Sequence, residues 1–164
     1  VQKPPVAPPT TEKLVCLEFL GNPSTAAELE QLETEVRSIL NGLNVDIFAP
    51  STLGQVPRDP AGTDRYLQRL IKAKAQCDGL LVVRVDRTTS LADWRLDYVS
   101  DIRPAALRLR SDGTVPRPLI VDTSSPHADP VSEDIRSLRY DQPDFTAHLA
   151  KWVDSLPVAP RGAA

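Results

Sequence analysis

Two cysteines in 164 residues are too few for a disulfide scaffold. Cys16 and Cys77 each lie beside apolar, strand-like residues, where a reduced and buried thiol packs well, so a reducing, cytoplasmic setting is expected. His127 and His148 are the only histidines and neither has a second ligand four residues on, so no metal set is expected. No apolar run approaches the roughly 18 to 20 residues of a membrane span, and the first residues show no signal-peptide pattern. Neither GxGxxG nor GxxxxGK[ST] occurs, which removes the usual phosphate cradles, and no GxSxG elbow presents a serine. The net charge of −3 exerts no overall pull toward nucleic acid or anionic lipid. Arg103, Arg108, Arg110 and Arg117 gather locally, but without a basic stripe or interleaved aromatics they read as a solvated face. These absences argue for no cofactor, no metal, no nucleic acid and no membrane.

What is abundant is proline, 16 in all, and it crowds the ends. The opening VQKPPVAPPTTEK cannot support helix or central strand and favours an extended tether over residues 1–13. The tail over 157–164 reads the same way. Between them, residues 14–156 have the size of one domain with a single core. A unit flanked by Pro/Ala tethers and beginning at Val1 without an initiator methionine reads as part of a longer polypeptide.

Within that unit, apolar runs alternate with helical periodicity. Leu14 to Leu20, broken only by Glu18, is an apolar run suited to a strand buried on both faces. Gly21-Asn22-Pro23 ends it, and Ser24 or Thr25 can cap a helix carrying Leu29, Leu32, Val36, Ile39, Leu40 and Leu43 on one stripe. Val45 to Phe48 is a second short strand. A long loop, Ala49 to Thr63, follows, and loops of that length in compact domains tend to be functional or mobile, the plain alternative being an exposed, flexible connection. Asp64 can cap the next helix, with Leu67, Leu70, Ile71 and Ala75. Gly79 to Val85 is the strongest strand signal and belongs at the centre of a sheet. Leu91, Trp94, Tyr98 and Ile102 then share a helical face, which Pro104 should end or kink. Pro118 to Val121, a Ser/Pro/Asp loop, a short helix near Val131 to Ile135, a strand near Ser137 to Tyr140 and a closing helix with Phe145, Leu149, Trp152, Val153 and Leu156 complete the chain. Alternating strands and helices imply right-handed crossovers and a parallel α/β sheet. The order 2-1-3-4-5, flavodoxin-like, puts the topological switch between the first and third strands. A ligand or partner crevice would lie there, lined by Gly21, Asn22, Ser24, Asp86, Thr88, Ser90, Trp94 and Tyr98.

This order of elements, the long loop after the second strand and the WRLDY helix after the third resemble a toll/interleukin-1 receptor (TIR) domain. More narrowly, CDGLLVV, Trp94 and the Asp101-Ile102-Arg103 sequence resemble divergent TIR-like domains of large bacterial STAND-type signalling and defence proteins. The resemblance spans about residues 14–156 as architecture. It implies a three-layer fold with a five-stranded parallel sheet. Active TIR domains carry Trp-Cys-x-x-Glu on this helix, the glutamate supporting cleavage of NAD. Here Trp94 matches, Arg95 replaces the cysteine, and Tyr98 falls on the glutamate position. A phenol is neutral near pH 7 and cannot stabilise an oxocarbenium-like sugar cation as a carboxylate does. Asp97 lies about 100° away round the helix.

The resemblance therefore implies a module that associates with itself or with another domain of its polypeptide, through the loop bearing Leu53, Gln55, Val56, Arg58 and Asp59. No catalytic residue is assigned. Two alternatives stand beside it: an NAD- or nucleoside-cleaving hydrolase that uses another carboxylate, such as Glu18, Asp86 or Asp93, and a structural spacer. For those three acids a helix cap or solvated loop position is the simpler reading, and for Trp94 it is a core anchor.

Overall fold

Five strands form in the computed structural model of the chain, which describes residues 13–22, 25–86, 89–110, 112–123 and 135–157. They are β1 (Lys13–Leu20), β2 (Val45–Phe48), β3 (Gly79–Arg84), β4 (Arg117–Asp122) and β5 (Arg136–Arg139). All pair in parallel in the order β2-β1-β3-β4-β5. This is the flavodoxin-like sheet expected from the alternation of strand and helix. The helices are α1 (Ala26–Gly42), α2 (Pro60–Ala75), α3 (Ala92–Asp97), α4 (Arg103–Leu109) and α5 (Phe145–Ser155). Among the described residues, no helix is long and apolar enough to cross a membrane.

Side-chain alternation along each strand divides the core in two. Val15, Leu17, Leu81, Val83, Leu119 and Val121 point to one face, where Val36 and Leu40 of α1 and Phe145, Leu149 and Trp152 of α5 cover them. Cys16, Leu80, Val82 and Ile120 point to the other, against Leu91, Trp94, Tyr98 and Ile102. Every residue of β3 is buried, as its unbroken apolar run requires of a central strand. Both cysteines are free thiols in this second face.

Three local readings are corrected here. Lys13 belongs to β1 and not to the tether: its Nζ donates to the carbonyls of Val153 (2.6 Å) and Asp154 (3.0 Å) near the end of α5. Residues 1–12 and 158–164 of the two tethers, and the expected helix up to Asp134, lie outside the described residues. Helix α2 starts at Pro60, capped by Asp59 rather than Asp64, with Asp59 Oδ2 accepting from Gly62 N at 2.7 Å. Proline preset at the first helical position makes this start favourable. The connection after β2 is accordingly shorter than Ala49 to Thr63, and a 3₁₀ turn at Pro50–Leu53 occupies its beginning. Of the two hydroxyls offered as the cap of α1, Thr25 fills the role, accepting from Glu28 N at 3.1 Å. An Asp59→Ala variant is expected to lose about 1 kcal/mol of stability, measured by urea unfolding, whereas Asp64→Ala should stay within about 0.5 kcal/mol.

Pro104 does not end its helix. A π-helical turn, Tyr98–Ile102, sits just before it, with Arg103 N bonded to Tyr98 O, and α4 continues to Leu109. The wider turn accommodates a ring that would otherwise press on the carbonyl four residues back. Arg110, expected in a solvated face, is buried instead. Its guanidinium donates to the carbonyls of Ala75 (3.1 Å) and Cys77 and to Thr114 Oγ1 (3.1 Å). The end of α2 leaves carbonyls without helical partners, and a fork of five donors can serve several of them.

Candidate functional site

The switch point forms where β1 and β3 end side by side, Leu20 opposite Arg84. Gly21 follows β1 at φ +104°, a left-handed conformation that also lets its backbone approach the loop after β3 closely. A Cβ there would lie 2.5 Å from Thr89 Oγ1 and 2.6 Å from Asp86 Oδ2. Asp86 fills the space: Oδ2 accepts from Asn22 N (2.6 Å), while Oδ1 accepts from Thr89 N (2.8 Å) and Thr89 Oγ1 (2.7 Å). Gly21, Asn22 and Asp86 are thus brought together, and the carboxylate ties the two loops to each other. Ser24 and Thr88 lie outside the described residues. Ser90 is exposed, its Oγ accepting from Ala92 N at 3.1 Å at the start of α3.

Trp94 and Tyr98 sit one turn apart on the face of α3 that meets the sheet, 6% and 8% exposed. Their rings stack with centroids 5.5 Å apart and planes 5° from parallel. Trp94 Nε1 donates to Glu18 Oε1 at 2.7 Å, and Tyr98 OH donates to Pro116 O at 2.7 Å. Burial pushes the Tyr98 phenol above its ordinary pKa, and it stays protonated at neutral pH. Asp97, the neighbouring acid, is exposed.

Glu18 is neither a helix cap nor a loop acid. It lies on β1 and pairs with Lys74 of α2 at 3.0 Å, the two side chains only 15% and 12% exposed. Its place amid an apolar strand was the one sequence signal for this bridge. Asp93 is an exposed acid in the first turn of α3, where the helix dipole favours it. A second buried ion pair carries the same kind of signal, an arginine within the apolar run of β3. Arg84, fully buried, donates through Nε to Asp122 Oδ1 (2.6 Å) and through Nη2 to Asp122 Oδ2 (3.1 Å). These charges join strand ends and helices to one another. No group of three or more His, Cys, Asp or Glu side chains among the described residues is arranged to hold a metal. His148 is bonded to Asp144 at 2.7 Å on α5, and His127 is outside the described residues.

The expected interaction loop projects beside α2. Leu53 is half-buried at the end of the 3₁₀ turn, while Gln55, Val56 and Arg58 are exposed, Val56 by 54%. Asp59 is occupied as the α2 cap. The loop is anchored at both ends: Thr52 Oγ1 donates to Ala49 O (2.8 Å), and Thr63 Oγ1 bonds Pro57 O (2.7 Å). The concavities of the described surface include these two. One, of 220 Å³, is lined by Leu29, Leu32, Val85 and Tyr140 with Glu28 and Thr123 at the carboxyl edge of the sheet. Tyr140 there is pushed up to about 12, by burial and then by its bond to Glu35. The other, of 160 Å³, runs between α2 and α3.

The parallel sheet and its strand order define a flavodoxin-like α/β domain. No protein-family model matches the chain, and no curated protein matches it. Among solved structures, it is similar to a response regulator receiver domain protein from Bacillus halodurans, at 15% identity and TM-score 0.46, covering 88% of this chain and 96% of that one. It is similar to a 2-deoxyribosyltransferase from Bacillus psychrosaccharolyticus at 11% identity and TM-score 0.45, covering 90% and 99%. It is also similar to the SEFIR domain of IL-17 receptor B at 14% identity and TM-score 0.36, covering 85% and 97%.

Proposed function

We propose that this domain is a non-enzymatic TIR-like association module that joins a second copy of itself, or another domain of its polypeptide, within a larger cytoplasmic STAND-type signalling or defence protein of bacteria. The observation that carries this reading is Tyr98. It stands where the resemblance requires a glutamate, its ring is stacked on Trp94, and its hydroxyl is engaged with Pro116 O. Asp97 turns to solvent, and Glu18 would have to leave both Lys74 and Trp94 to serve a sugar. Breaking a pair that buried is costly. The anchored loop with Val56 and Arg58 exposed supplies a surface for contact.

Incubation of the domain and of its full-length parent with NAD is expected to release no nicotinamide. Turnover that disappears in Glu18→Ala or Asp97→Ala would transfer the assignment to an NAD- or nucleoside-cleaving hydrolase. Light scattering across a concentration series is expected to show a mass that rises with concentration, and Leu53→Asp and Arg58→Glu should reduce that rise. A strict monomer that also captures no partner would leave only the spacer role.

A further inference from the structure

We propose that the groove between α2 and α3 is the receiving site for the loop of a second copy, Val56 lying on its apolar wall and Arg58 between Asp97 and Asp101. The inference rests on the self-association reading above and names the surface that completes it. Leu67, Leu70 and Ile71 recur at three- and four-residue spacing, so α2 turns them to one side, and they line the groove with Leu67 still 46% exposed. Asp97 and Asp101, four residues apart, form the opposite rim from α3 and the π turn. The stack of Trp94, Tyr98 and Ile102 against the sheet leaves these two carboxylates directed away from the core. Neither makes a hydrogen bond or ion pair among the described residues. Lys74, the cation that lines the groove, is held by Glu18 at 3.0 Å. An apolar wall beside two unneutralised carboxylates suits a guanidinium carried on an alkyl stem. The volume of 160 Å³, roughly five waters' worth, fits one long side chain.

The chain carries the complement. Arg58 is exposed and likewise makes no hydrogen bond or ion pair among the described residues, and Val56 beside it is 54% exposed. The anchoring of the loop through Thr52 and Thr63 presents both side chains at low ordering cost. Loop and groove are different surfaces, so the contact is heterologous and can propagate from copy to copy.

Charge exchange in the full chain tests this. In sedimentation velocity over a concentration series, Arg58→Asp alone and Asp97→Arg/Asp101→Arg alone are each expected to weaken self-association at least tenfold, with unchanged circular dichroism and thermal midpoint. Combining all three substitutions should restore association to within about threefold of the original. Mixing the Arg58→Asp protein with the Asp97→Arg/Asp101→Arg protein should also restore assembly, because each contact between unlike proteins in an alternating assembly is complementary. If the loop variants dissociate while the groove variants assemble normally, the groove is not the receiver, although the self-association reading survives. Failure of the triple variant and of the mixture to recover overturns the inference too. An original chain that is monomeric throughout overturns both.

Discussion

Asp122→Ala is expected to cost about 3 kcal/mol of folding stability, read as a lower urea midpoint at an unchanged slope. Arg84 is 0% exposed at the end of the central strand, and its guanidinium meets the Asp122 carboxylate through both Nε and Nη2. Removing the carboxylate leaves a cation in a place that water cannot reach. Its described bond to Thr89 O, at 3.3 Å, is to a neutral carbonyl and does not replace the carboxylate's charge. Domains of this size have about 5–15 kcal/mol in total, so the variant would be marginal at elevated temperature. Replacing both partners, as Arg84→Met with Asp122→Leu, is expected to recover most of the loss, because two apolar side chains need no counter-charge. A single variant within about 1 kcal/mol of the original, or a double variant no better than the single, would show that the pair does not hold the strand ends.

The second large effect is steric. Gly79 opens β3 beneath α5, and a Cβ at this position would lie 2.6 Å from Cη2 of Trp152 and 2.9 Å from Cδ1 of Leu156. Gly79 has no positive φ, so the residue is demanded by proximity alone. Gly79→Val is expected to destabilise by about 3 kcal/mol and Gly79→Ala by about 2 kcal/mol, since Trp152 is 2% exposed and packed on all sides. Trp152→Phe shortens the ring that would collide. The Gly79→Ala/Trp152→Phe double variant should therefore cost less than the sum of its singles by at least about 0.5 kcal/mol, measured as a double-mutant cycle. The indole nitrogen of Trp152 has no hydrogen-bond partner among the described residues, so phenylalanine forfeits none of the described bonds. Strict additivity would mean that helix α5 moves aside as a body and that Gly79 is not the point of closest approach.

Both effects come from contacts between residues far apart in the chain, and this separates what was legible in the sequence from what was not. The strands were legible because burial on both faces leaves an uninterrupted apolar run, as in Gly79-Leu80-Leu81-Val82-Val83. The amphipathic helices were legible from their stripes, and alternation of the two kinds of element led to the order β2-β1-β3-β4-β5. At the start of α2, Asp59 before Pro60 is a cap followed by a helix-opening proline, a local signal stronger than Asp64, which lies inside the helix. At Pro104 the local rule allowed either an end or a kink, and the helix does not end, because burial of Tyr98, Ile102, Ala105 and Ala106 holds it together and a π turn absorbs the misfit.

Around the candidate site, topology placed the ends of β1 and β3 next to each other. Nothing in the sequence indicated that the Asp86 carboxylate would bridge Asn22 and Thr89, or that Arg110 would turn inward to carbonyls at the end of α2. Periodicity reports which face of an element is buried, and that is a local property. The sequence by itself therefore determined the class of fold, the central strand and the lack of a glutamate at Tyr98. Only the tertiary structure decided which charges neutralise one another and which, like Asp97, Asp101 and Arg58, have no described partner, because pairing depends on distances across the sheet and between helices that no spacing along the chain encodes.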